Sequence, residues 1–133
     1  MAAVNSIKTK SFGNDKQILV APELAFTMGC IVKDQKGTIE PNAEGRTILP
    51  AGIPVGGADL IANRQAVLTV NSEEPQGVLL HDVDVTDGQA NATLVLQGII
   101  DLEKVEEPAK NMLFGAVQAQ KLNSIKVILG SKM

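Results

Sequence analysis

Aromatic residues are nearly missing from this chain. It has no Trp, no Tyr and three phenylalanines, Phe12, Phe26 and Phe114. Sugar clefts and single-strand nucleic-acid grooves generally stack their ligands on aromatic rings, so neither chemistry has a platform here. Cysteine is almost as scarce. Cys30 stands alone in the apolar stretch AFTMGCIV; it excludes an internal disulfide and reads as a small buried hydrophobe. Positive charge is not in excess either. A formal charge of −3 and a pI near 5.1 leave no basic footprint for DNA or RNA. No run approaches the ~20 apolar residues of a membrane-spanning helix, and residues 1–10 lack the apolar core of a signal peptide. The expectation is intracellular synthesis, under which the sequon Asn91-Ala92-Thr93 carries no meaning.

What is present suffices for a folded domain. Of the 133 residues, 44% are hydrophobic and 20% charged, a globular balance and not a disordered one. A chain this long buries roughly two thirds of its unfolded surface as one domain. The division expected is a flexible arm over residues 1–17, polar and without periodicity, followed by one β-rich domain over 18–133.

Strand patterns dominate that domain. Residues 18–20 read as a short strand ended by Pro22, and residues 25–32 as a buried strand. The turn-rich KDQKGTIEPNAEGR that follows reads as a hairpin or exposed loop. Residues 47–57 hold two prolines and three glycines and read as consecutive turns around a short edge strand. They lack the Gly-Lys-Ser/Thr ending of a phosphate loop. Residues 58–63 suit a helical turn, and residues 66–70 alternate as a strand. Leu79, Val83 and Val85 share a face with His81, and Asp87-Gly88 makes a good hairpin turn. In the next strand Leu94, Leu96, Ile100 and Leu102 form a core face. Val95, Gln97 and Ile99 lie on a mixed face, suited to water or a neighbouring subunit.

One helix is expected. Pro108 occupies its first turn, Glu106 and Glu107 sit at the positive end of its dipole, and Ala109, Met112, Leu113, Ala116 and Val117 form one apolar stripe. Ile125, Val127 and Leu129 then alternate as a closing strand. The fold class is mainly β, a small barrel or sandwich with one helix near its C-terminal end.

Catalytic constellations are weak. His81 is the sole histidine, and no serine or cysteine sits in a nucleophile elbow such as Gly-x-Ser-x-Gly. Asp82, Asp84 and Asp87 resemble a metal loop, but strand alternation puts His81 opposite Asp82 and Asp84. A calcium loop begun at Asp82 would need glycine and glutamate where Asp87 and Thr93 stand. The carboxylates read as solvated residues flanking a turn. No enzyme, cofactor or metal is expected.

The string EPQGVLLHDVDVTDG (residues 74–88), closed downstream by Ile99-Ile100-Asp101-Leu102, resembles the lambda-type head decoration proteins of tailed bacteriophages. AGIPVG (residues 51–56) is similar to a turn segment of that family. So is the order of elements: arm, Gly-Val-Leu strand, turn, helix and closing strand. The likeness covers residues 47–129. The arm matches in character alone and is longer, continuing through KSFGNDKQILVAPELAF. The resemblance implies a structural protein of the virion, made in the bacterial cytoplasm. It would trimerise at three-fold or quasi-three-fold sites on an expanded capsid and clamp the major capsid protein.

On that basis Lys8, Lys10, Phe12, Ile18 and Leu19 are the expected capsid contacts, as apolar anchors beside cations in an arm. His81, Val95, Gln97 and Ile99 are the expected subunit interface. Two other classes stay open: a β-barrel binding a small ligand or metal through His81 and its carboxylates, and a head-fibre or receptor-binding virion protein.

Overall fold

Thirteen consecutive residues, Gln89–Asp101, form one long strand, and everything else is arranged along it. The computed structural model describes residues 17–34 and 39–128. In chain order the strands are β1 (Phe26–Lys33), β2 (Ile48–Leu49), β3 (Pro54–Gly56), β4 (Val67–Val70), β5 (Pro75–Leu79), β6 (Val83–Asp84), β7 (Gln89–Asp101) and β8 (Ile125–Ile128). The helix α1 spans Ala109–Gln118. The fold is mainly β, as expected, with the helix near the C-terminal end.

Five strands close into a barrel. β1 runs antiparallel to β7 and parallel to β4, β3 joins β4 to β5, and β5 returns to β7. Closure removes the open edges that an isolated sheet of such short strands would present. Gly77 allows the last approach, because a Cβ there would run into the carbonyl of Val95. β8 extends the far half of β7, pairing in parallel along Gly98–Asp101. β2 and β6 form a separate antiparallel pair.

Where β5 crosses β7 the wall is covered on both faces. Val78, Leu79, Leu94 and Val95 are all fully buried, although neighbours along a strand point to opposite sides. α1 contributes Ala109, Leu113 and Ala116 to the core and packs against β3 and β8. The chain before β1 supplies another cover. Ile18 and Leu19 are buried, Leu19 bridges Ile100, and a Cβ at Gly98 would meet Leu19, Ala25 and Val95 within 3.5 Å. Cys30 is buried as a small hydrophobe, which pushes its thiol up to about 11.

Several expectations are corrected. Residues 18–20 form one bridge and no strand. The segment 77–85 is two strands, because the chain bends at Leu80 and His81 before β6 turns to β2. The Asp87-Gly88 turn forms, with Gly88 at φ +121° and its N–H donating to the Val85 carbonyl at 3.0 Å. The strands it connects do not pair with each other, so it is no hairpin. β3 lies inside the barrel order and not at an edge; Pro54 opens it, where a missing N–H is tolerated.

Val95 is the largest correction. The register pairs Phe26 with Gln97 but Thr27 with Val95, so Leu96 is an extra residue on β7. A bulge of this kind exchanges the faces on either side of it. Gln97 therefore stays exposed while Val95 joins the core.

Candidate interaction surface

The Asp-rich turn has the charge density of a site, yet its carboxylates are engaged within the fold. Asp82 accepts the Ala51 N–H at 2.8 Å and so ties the bend to the loop before β3. Asp84 accepts the Thr86 N–H at 2.9 Å and the Arg46 Nε–H at 2.9 Å. The Arg46 guanidinium also lies 3.8 Å from Asp87. Bonds from Thr86 and then Arg46 hold the Asp84 carboxyl down at about 2. A cleft of about 470 Å³ nearby carries Glu40, Asp82, Glu106 and Glu107. Among the described residues no group of three or more His, Cys, Asp or Glu is placed to hold a metal ion.

A second region has the opposite character. Pro22–Leu24 form one 3₁₀ turn, closed by the Leu24 N–H donating to Ala21 at 2.9 Å and the Ala25 N–H to Pro22 at 3.1 Å. That turn lifts Leu24 off the barrel before β1 begins. Val20 fastens the segment from behind, its N–H donating to the Ile99 carbonyl at 2.9 Å. The result is an apolar rim in water. Val20 is 41% exposed, Leu24 66% and Phe26 57%. Leu24 lines a shallow cleft with Gln97, Ile99 and Lys126, and Phe26 is the register partner of Gln97. Ile128, on the outer strand, is 38% exposed.

Of the expected interface residues, the structure brings Gln97 and Ile99 to this rim, exposed and half-buried respectively. Val95 is inside, and His81 is exposed at the bend after β5, apart from the rim-lining set. Of the expected capsid contacts, Ile18 and Leu19 are core residues with no free surface to offer. Following a polar stretch in the sequence, they read as part of the arm; the antiparallel bonds to β7 make them barrel cover. Lys8, Lys10 and Phe12 lie outside the described residues.

Phe26 is hidden in the sequence because AFTMGCIV (residues 25–32) reads as a buried strand throughout, and Leu24 lies just before it with no pattern of its own. The one local signal is Pro22, which breaks the chain just before it. Compared with protein-family models, curated proteins and solved structures, the chain matches none.

Proposed function

We propose that this chain is a capsid decoration protein of a tailed phage or prophage, a structural protein and not an enzyme. In this reading it binds the outer surface of an expanded capsid at three-fold or quasi-three-fold sites and clamps neighbouring major capsid protein subunits, acting as a homotrimer. The observation that carries the reading is the apolar rim of Val20, Leu24 and Phe26, left in water beside Gln97 and Ile99. Exposed aliphatic and aromatic groups gathered at one place, with polar residues around them, mark a surface that another protein covers. The family-like string at residues 74–88 supports the assignment of that protein as capsid.

The physical logic suits a small domain. Its contact with one capsid subunit is weak, but three linked copies on a symmetric site make the second and third contacts effectively intramolecular. Residues 1–16 precede the rim directly and would add Lys8, Lys10 and Phe12 to the contact. The carboxylates of the turn, bonded to Ala51, Thr86 and Arg46, support no second reading as a metal site. The test is co-sedimentation of the purified chain with expanded capsids of the encoding phage. Saturable binding at three copies per three-fold site is expected. No binding, with unexpanded and expanded capsids alike, removes the proposal.

A further inference from the structure

The cleft beside Leu24 has a chemistry of its own. It holds about 230 Å³, and Ala21, Leu24 and Ile99 give it apolar walls. Its polar side chains are Gln97, Ser124 and Lys126. Each of the three can donate a hydrogen bond, and none is an acid. Among the described residues that line the cleft, Lys126 alone carries a charge.

Local structure puts those donors together. β7 and β8 run parallel, with Gly98 paired to Ile125 and Ile99 to Lys126. The Gly98 N–H donates to the Ser124 carbonyl at 3.1 Å, which holds the two strands together at the level of the cleft. Alternation along β8 buries Ile125 and turns Lys126 and Ile128 outward on one face. Across the ladder from Lys126 is Ile99, on the same face of β7 as Gln97. The lysine thus has one isoleucine beside it on the next strand and another two residues along its own.

A cation in that position constrains what can cover it. Any protein surface laid over Leu24 and Ile99 also takes water from the ammonium next to them. Burying a charge without a partner costs more than the surrounding apolar contact returns, unless a counter-charge arrives with the covering surface. A purely apolar surface is therefore a poor complement. One that brings a carboxylate pairs with Lys126 and leaves Ser124 and Gln97 to bond its remaining lone pairs.

We propose that the occupant of this cleft is an Asp or Glu side chain of the major capsid protein, set beside an apolar residue that packs on Leu24 and Ile99. The inference rests on the capsid reading and adds to it the chemistry of the partner. The contact is then selective by charge, since a basic residue at the same point of the lattice would face Lys126 with like sign. A second copy of this chain is the competing occupant, because it carries Glu23 next to its own Leu24. The capsid is preferred because a copy seated here would cover the rim that the lattice needs.

Co-sedimentation with expanded capsids, at low and at moderate salt, tests this with the full-length parent, Lys126→Met and Lys126→Arg. All three are expected to melt alike, because position 126 is exposed. Methionine keeps an apolar stem and strands the partner's carboxylate, so roughly a tenfold or greater loss of affinity is expected. Arginine keeps the charge and should bind within about threefold of the parent. Added salt should weaken the parent more than Lys126→Met. Equal or tighter binding by Lys126→Met overturns the proposal and leaves the capsid reading standing, since the ammonium would then reach water along its stem. A parent that binds no capsid removes both. Light scattering of the free protein supplies the other arm. A parent oligomer that Lys126→Met dissociates would give the cleft to a second copy, and that also overturns the proposal.

Discussion

The turn at residues 82–87 and the rim at residues 20–26 differ in what the fold has already done with their side chains. The turn concentrates charge, and two of its carboxylates have tasks inside the molecule: Asp82 holds the Ala51 N–H, and Asp84 holds Thr86 and Arg46. The rim concentrates apolar surface, and the fold leaves it in water, with Leu24 66% and Phe26 57% exposed. A polar cluster is architectural when its groups are already bonded. An apolar cluster points outward in function when the domain does not bury it. The difference is one of unmet physical demand, and it sets the proposed interaction surface away from the residues that look most chemical.

Substitutions sharpen that contrast, beginning at the wall that separates rim from core. Val95→Asp places a carboxylate at a fully buried position and is expected to cost about 4 kcal/mol or more, a large part of a domain's stability. Gln97→Asp, two residues on and exposed, should shift stability by no more than about 0.5 kcal/mol. Denaturant melts of the two variants check the bulge directly, since without it both positions would share a face.

Asp82→Ala should cost about 1–3 kcal/mol, because it strands the N–H of the buried Ala51. If the turn were a ligand site and not a brace, the same variant would melt as the parent does. A smaller effect is expected from Asp84. Its carboxyl is held at about 2 in the folded chain, below its ordinary value. The folded state therefore gains stability that is present above the ordinary carboxylate range and lost as pH falls from about 4 toward about 2. Thermal melts across that window should show a shallower acid limb in Asp84→Asn than in the parent.

Much of the architecture is legible locally. The stripe of Ala109, Leu113 and Ala116 marks α1 because helical spacing brings those residues to one face, and alternation marks β8 and most of β1. The misses share a cause. Leu96 as a bulge, the parallel pairing of β1 with β4, and the bend that separates β5 from β6 depend on partners distant in sequence. Alternation is counted within one strand, so an inserted residue that exchanges faces is invisible to it. Gln97 and Ile99 were legible as outward residues because they lie beyond the bulge on a face that stays partly open. Leu24 and Phe26 were not, because the Pro22 turn that exposes them follows from how residues 18–20 bond to β7.

The most direct test of the account is the occupancy of expanded capsids by the full-length parent and by the double variant Leu24→Ser with Phe26→Ser, measured by co-sedimentation after both proteins are shown to melt alike. The account predicts saturable binding of the parent and at least a tenfold loss of affinity in the double variant. Equal binding by the two would contradict it, because the rim would then be surface that capsid association does not use.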